Sequence, residues 1–270
     1  MSGTFALVGH SLRRSRGLLA AMTAVLAGTQ VLFVLAAGAL EEAGTFASVA
    51  ALVPPFIRQA FGDSLFGFMS FAGLIAFGYF HPMIVAALAG LVIALATEPA
   101  ADLETRFLDV VLARPVPRAV VIARSAILVA CVPAALLAGM LAASTLGLAW
   151  LAPPGAPTVP RGLLPSLAVN LWATLFCIGG VSLVVASASR RRSVASATCG
   201  LAMLALFLVD YLSRVWPPAA SLAPVSPFHY FDAMALVTGR SLPLGHVAVL
   251  AGAGAAGVAL AFLLFARRDL

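Results

Sequence analysis

The sequence predicts an all-α integral membrane protein, built as a bundle of six transmembrane helices. Of the 270 residues, 62% are hydrophobic and only 10% are charged, and the mean hydropathy is +1.07. A soluble domain of this size cannot cover its surface with so few polar side chains. The apolar segments between the polar intervals have the lengths and composition of six membrane spans. These observations favour a membrane bundle over any water-soluble fold.

The polar intervals divide one transmembrane domain, residues 1–270, into successive segments. The predicted segments are 1–17 for an interfacial helix, 18–40 for span one, 66–97 for a re-entrant piece followed by span two, 98–118 for a cytoplasmic loop, 119–151 for span three, 164–188 for span four, 194–211 for span five, 214–244 for a second semi-polar segment and 246–265 for span six. The first apolar run is about twice as long as the core of a signal peptide, which favours a retained anchor. A single kinked helix from about Leu65 is the alternative for residues 66–97.

Arginine is unevenly distributed between the two sides of these spans. All sixteen basic residues are arginine. Twelve lie at the two termini, in residues 98–124 and in the turn at 190–192, and only four lie on the other side. Cytoplasmic loops carry the excess of positive charge, so both termini and residues 98–118 are expected in the cytoplasm. The arginine-rich, lysine-free composition is typical of a bacterial source, which indicates the bacterial cytoplasmic membrane.

The longest polar interval, residues 98–118, is predicted to form a short amphipathic helix on the membrane surface. Four apolar residues recur there at helical spacing: Leu103, Phe107, Leu108 and Val111. Asp102, Glu104 and Asp109 belong to the opposite face. Pro115 then prevents the helix from continuing. Such a helix between two spans is suited to contact a soluble partner, and the alternative is that it only rests on lipid headgroups.

Residue types that catalyse reactions or hold cofactors are scarce. The absence of lysine excludes a Walker A lysine and a Schiff-base lysine. The three cysteines are isolated in apolar segments, and the four histidines, His10, His81, His229 and His246, fall near four different span ends. We expect no catalytic residue, no metal site and no cofactor bound by this chain. The positive charge is explained by contact with the lipid bilayer, so no nucleic-acid partner is expected.

A few polar residues within or beside the spans are candidates for a transport pathway or a gate. Asp210 and Arg214 are four residues apart and can pair on one helical face. Gln30 and Asn170 are uncharged, and hydrogen bonding between helices is the simpler interpretation of both. Arg124 is expected to extend from the third span to nearby headgroups. None of these residues forms a proton relay or an ion site, so we expect energy for transport to come from a partner.

Residues 104–118, ETRFLDVVLARPVPR, resemble the cytoplasmic loop of ABC-2 type transporter permeases, the transmembrane subunits of ABC exporters. That family carries a Gly-Thr pair followed by a string similar to LDLLLARPVSR, and residues 108–118 match the string nearly throughout. Arg106 and Phe107 replace the Gly-Thr pair, so the entry to the helix differs. The N-terminal HSLRRSRG and the C-terminal FARRDL are similar to the ends of the family, which spreads the resemblance over the chain.

The resemblance implies a permease subunit without ATPase activity of its own. It implies a homodimer or heterodimer of permeases with two copies of a separate ATPase, which holds the ATP and Mg²⁺. Residues 98–118 would be the coupling helix that docks on the ATPase, with apolar anchors and a polar rim. The implied coupling residues are Leu103, Glu104, Arg106, Phe107, Leu108, Asp109, Val111, Leu112, Arg114 and Arg118. The implied elbow-helix residues that face headgroups are Arg13, Arg14 and Arg16.

The family likeness also implies that residues 41–80 and 214–244 are extracellular re-entrant or lid helices. Aromatic residues are frequent in both segments: Phe66, Phe68, Phe71, Phe77, Phe80, Phe228, Tyr230 and Phe231. An apolar lid favours export of an amphipathic or lipid-like substrate, although an aromatic belt at the membrane interface explains the same residues. Two other functions stay open: a non-transporting membrane anchor of an ATPase complex, and a polytopic lipid-modifying enzyme.

Overall fold

The computed structural model describes residues 2–46, 48, 67, 69–105, 117 and 119–267, and within them the chain is all-helical, as predicted. The helices are α1 (Ser2–Glu42), α2 (Phe71–Phe80), α3 (Pro82–Ala96), α4 (Glu98–Glu104), α5 (Ala119–Leu151), α6 (Leu163–Ala188), α7 (Arg192–Val215), α8 (Ala233–Val237) and α9 (Leu244–Ala266). Two short 3₁₀ helices, Pro217–Val225 and Pro227–Tyr230, lie between α7 and α8.

Six helical stretches of the described chain are long and apolar enough to cross a bilayer. They are α1, the α2–α3 pair, α5, α6, α7 and α9. The chain is therefore a multi-pass helical membrane protein, and the predicted number of spans is confirmed. Because successive spans alternate in direction, the start of α1, the whole of α4 and the start of α7 share one end of the bundle. We call it the N-terminal end; the loop at residues 152–162 lies at the opposite end.

The N-terminal residues belong to α1 itself. The helix is continuous over 41 residues, or about 60 Å at a rise of 1.5 Å per residue, whereas the hydrocarbon core of a bilayer is about 30 Å thick. Residues 2–17 therefore continue α1 beyond the span, with Arg13, Arg14 and Arg16 exposed. The described helix has no break at which a separate elbow helix would begin.

The second span consists of two helices that meet at His81. Ser70 caps α2 because its hydroxyl accepts the N–H of Gly73 at 3.0 Å. His81 caps α3 in a similar way, accepting the N–H of Met83 at 3.3 Å. Pro82 follows at the first position of α3, where its missing N–H leaves no acceptor unpaired. Together the two helices form one 26-residue stretch, Phe71–Ala96, with a local break.

α6 is the centre of the bundle. It is the most buried span, with 67% of its apolar window inside the protein, and it packs against α9, α5, α3, α7 and α2. Its closest neighbour is α9, because a Cβ on Gly257 would lie only 2.6 Å from the carbonyl carbon of Gly180. Small residues let helix backbones approach in this way. α1 and α7 bury only 17% of their windows each, so most of their surface faces outward.

Candidate functional site

The short helix α4 is fixed to the ends of several spans by its own side chains. It has seven residues, with Pro99 in its first turn, which is too short to be stable alone in water. Ala100 packs against Ala186 of α6 and Ala195 of α7, and all three side chains are fully buried. These small residues bring α4 close to two spans. The three acids of α4 make further contacts, with α1, α5 and α7.

Arg124 of α5 is the centre of this charged cluster. Its side chain is only 3% exposed, with Nε 3.4 Å from Oε2 of Glu98 and Nη2 2.7 Å from Oδ2 of Asp102. The N–H bonds do not point at these oxygens, so the contacts are ion pairs rather than aligned hydrogen bonds. Glu98 and Asp102 are one helical turn apart and share a face of α4, which lets both reach the same guanidinium. The cluster thereby fixes α4 to α5.

Two further contacts attach α4 to α1 and α7. The buried Ser11 of α1 donates its hydroxyl to Oε2 of Glu98 at 2.9 Å. Oε2 of Glu104 accepts the backbone N–H of Arg192 at 2.9 Å, which satisfies one of the free N–H groups at the start of α7. The Arg192 side chain also donates to the carbonyl of Ala94 at 3.3 Å. We call Ser11, Glu98, Asp102, Glu104, Arg124 and Arg192 the α4 cluster.

A polar cavity of about 490 Å³ lies against the α4 cluster. Arg14 and Ser15 line it from α1, Arg124 from α5 and Arg192 from α7. Thr105, at the end of α4, lines it next to the point where residues 106–116 follow. The cavity therefore lies between three spans and the C-terminal end of α4.

Of the predicted coupling residues, the structure describes Leu103 and Glu104. Leu103 is half-buried and packs against the core of this chain. Glu104 contacts the start of α7, as described above. The others lie outside the described residues: Arg106, Phe107, Leu108, Asp109, Val111, Leu112, Arg114 and Arg118. Within residues 98–118, the described residues are therefore mainly those that attach α4 to the bundle.

The four predicted pathway or gate residues have different surroundings. Nε of Arg214 lies 3.1 Å from Oδ2 of Asp210, and Oδ1 of Asp210 has no partner among the described residues. Asn170 is fully buried in α6, and its side-chain amide also has no hydrogen-bond partner in that part of the chain. No hydrogen bond or ion pair of the described residues joins Gln30, Asn170 and Asp210 to one another. Asp210 and Arg214 form a pair near the C-terminal end of α7.

Gln30 belongs to a hydrogen-bonded network of three helices. Ser144 of α5 lies 3.2 Å from Oε1 of Gln30, to which it donates, and its oxygen is 3.2 Å from the hydroxyl of Tyr79 in α2. A Cβ on Gly78 would overlap the amide of Gln30, so glycine provides the space for that side chain. The network holds α1, α2 and α5 together within the membrane-spanning part.

Tyr79→Phe is expected to lower the free energy of unfolding by about 0.6 kcal/mol, the average for a hydrogen bond between transmembrane helices. The change removes only the hydroxyl that contacts Ser144. The measurement is unfolding in mixed micelles titrated with sodium dodecyl sulfate. Tyr211→Phe is the control, because Tyr211 is 61% exposed on α7. Equal losses in the two variants would show that the network does not stabilise the bundle.

A group of rings at the opposite end was not predicted from the sequence. The ring centroids of His229 and His246 are 6.3 Å apart, and the ring of Tyr230 is 5.4 Å from that of His246. His229 and Tyr230 are adjacent, but His246 lies further along the chain, and only the folding of the 3₁₀ segment onto α9 brings it to them. Among the described residues, no group of three or more His, Cys, Asp or Glu is placed to hold a metal ion.

The α4 cluster was also missed by sequence reasoning. Arg124 was expected to extend to lipid headgroups, but the structure buries it against Glu98 and Asp102. One signal was available, because Arg124 lies one turn inside a span and two acids spaced by one helical turn precede that span. The spacing places both acids on one face, but it does not specify which cation they meet.

No protein-family model and no curated protein matches the chain. Its function is therefore inferred from the helical membrane fold, the α4 cluster and the sequence of residues 104–118.

Proposed function

We propose that the chain is the permease subunit of an ABC-2 type transporter, and that it moves a substrate using ATP hydrolysed by a separate subunit. The observation that carries the proposal is the attachment of α4 to α1, α5 and α7 through Glu98, Asp102 and Glu104. This attachment immediately precedes the segment that resembles the coupling loop of that family. A protein that binds residues 106–118 and moves would displace α4, and three spans would follow it.

The arginine distribution supports a cytoplasmic position for the N-terminal end of the bundle. Exposed arginines of the described chain are frequent there: Arg13, Arg14, Arg16, Arg190, Arg191, Arg192 and Arg267. Those at the opposite end are Arg161, Arg214 and Arg240. By the positive-inside rule, α4 and both termini face the cytoplasm of a bacterial cell. An ATPase would therefore have direct access to residues 106–118.

A dimer of permeases with two ATPase copies is part of the proposal. The helices α1 and α7 support it, because most of their surface faces outward. A second copy can pack against part of this surface while lipid covers the rest. We further propose that the transporter exports an amphipathic or lipid-like substrate. The 3₁₀ segment supports this, since Phe228 is buried there and Tyr230 and Phe231 are partly buried beside it.

Co-purification with ABC-type ATPases from the same organism tests the proposal. Phe107→Asp/Leu108→Asp, in the proposed docking face, is expected to reduce the bound ATPase more than tenfold, because two apolar side chains proposed to anchor the ATPase become charged. Pro157→Asp/Thr158→Asp adds the same charge at the opposite end, where both residues are exposed, and is expected to retain the ATPase. If the two double variants bind the ATPase equally well, residues 106–118 are not the docking segment.

A second readout separates a transporter from a membrane anchor that only binds an ATPase. A transport cycle changes helix packing, so ATP should change the rate at which a membrane-permeant maleimide modifies Cys177 and Cys199, which are both buried. Cys131 is exposed and serves as the internal reference. Stable ATPase binding with unchanged thiol reactivity would favour the anchor. ATP-driven movement of a fluorescent phospholipid in proteoliposomes would favour the exporter.

A further inference from the structure

The polar cavity beside α4 has the size and the buried charge of a ligand site. Its volume of about 490 Å³ falls in the range of small-molecule sites, roughly 300–1,000 Å³. Arg124 lines it with a side chain that is only 3% exposed. The cavity lies where α1, α5 and α7 reach the N-terminal end of the bundle. The ends of membrane-spanning helices are where a membrane protein generally meets lipid headgroups.

The charges that line the cavity are only partly compensated. Glu98 and Asp102 both line it, and both are within ion-pair distance of Arg124. Arg14 and Arg192 line it as well, from α1 and α7. Across the described ranges, neither of these two guanidinium groups has a carboxylate within ion-pair distance. The carboxylate of Glu104 meets the backbone N–H of Arg192, not its guanidinium.

Arg14 and Arg192 therefore line one cavity from α1 and α7, and neither is in an ion pair with a carboxylate of the described residues. Both side chains are exposed, so they are free to turn toward an anion in the cavity, which would attract each of them. Arginine forms paired hydrogen bonds with phosphate oxygens because its planar N–H fork matches their spacing.

We propose that this cavity binds a phosphate group between Arg14 and Arg192, next to the ion-paired Arg124 that also lines it. The nearest source is the headgroup of an anionic phospholipid, since basic pockets between spans on the cytoplasmic side accept such headgroups. Free phosphate or a soluble phosphate ester offers the same chemistry. The bound group contacts both α1 and α7. The inference goes beyond the proposed transport function and does not depend on an ATPase.

Binding of phosphatidylglycerol by the purified full-length chain tests this site, with phosphatidylcholine as the uncharged reference. The test variant is Arg14→Gln/Arg192→Gln. The matched control is Arg13→Gln/Arg191→Gln, which removes the same charge from the adjacent exposed positions, neither of which lines the cavity. Native mass spectrometry gives the retained lipid, and tryptophan fluorescence gives the Tm shift. We expect the test variant to bind phosphatidylglycerol at least tenfold more weakly than the control.

The second part of the experiment adds inorganic phosphate, to distinguish a lipid headgroup from a soluble phosphate as the bound group. If phosphate raises the Tm of the wild-type chain and phosphatidylglycerol does no more than phosphatidylcholine, the site takes a soluble phosphate. The proposal is overturned if both double variants lose the lipid equally, because general attraction of arginine to an anionic surface then explains the binding. It is also overturned if the wild-type chain prefers neither anion. Should the test variant fail to fold, Arg14→Lys/Arg192→Lys keeps the charge and is expected to bind with intermediate affinity.

Discussion

Gly257→Ala is expected to destabilise the protein by about 1–3 kcal/mol, the usual cost of adding volume to a closely packed contact. The new Cβ would lie 2.6 Å from the carbonyl carbon of Gly180, 2.7 Å from its oxygen and 3.0 Å from the nitrogen of Val181. All three are backbone atoms of α6, so no change of side-chain rotamer relieves the overlap. The two helices would have to separate, and they form the most extensive helix pair of the bundle.

The free energy of unfolding in mixed micelles titrated with sodium dodecyl sulfate measures this effect. Gly252→Ala is the matched control, because it is in the same helix and its Cβ would meet nothing within 4 Å. Alanine is a better helix former than glycine, so the control is expected to be neutral or to gain up to about 1 kcal/mol. If Gly257→Ala is as stable as Gly252→Ala, the close contact of α6 with α9 does not exist in the folded protein.

The spans were predictable because membrane insertion depends on the length and composition of a segment, which are local properties. The break at His81 has a local cause as well, since Pro82 cannot donate a backbone N–H and favours the first position of a helix. The contact of Gly180 with Gly257 is different in kind. Many glycines occur in these spans, and only the packing order of the helices determines which two backbones meet.

The polar contacts follow the same distinction between local and long-range causes. Asp210 and Arg214 are one turn apart in a single helix, and sequence spacing was enough to suggest their pairing. Arg124 meets acids of another helix, so its partner depends on how α5 packs against α4. From its position alone, Arg124 was expected at the lipid headgroups. The ion-pair partner of a buried cation near the end of a span therefore has to be identified from the fold.

Arg124→Leu is expected to have the largest effect on stability, a loss of about 3 kcal/mol. Removing one partner of a buried ion pair typically costs about 3–5 kcal/mol, because the remaining charge is uncompensated. The side chains of Glu98 and Asp102 are 19% and 13% exposed, so water partly compensates them and the lower end of the range applies. Arg13→Leu is the control, since it removes the same charge from an exposed position of α1. Equal stability of the two variants would show that the cluster is not a structural anchor.

The triple change Arg124→Leu/Glu98→Gln/Asp102→Asn separates stability from the transmission of movement. With all three charges removed, no buried charge lacks a partner, and most of the lost stability should return. The triple variant nevertheless lacks the ion pairs between α4 and α5. If these pairs transmit movement, the triple variant should still bind the ATPase but lose the ATP-dependent change in thiol reactivity of Cys177 and Cys199. A stable triple variant with a normal ATP response would mean that α4 moves the spans through Glu104, Ser11 and the buried alanines alone, and that Arg124 only stabilises the fold.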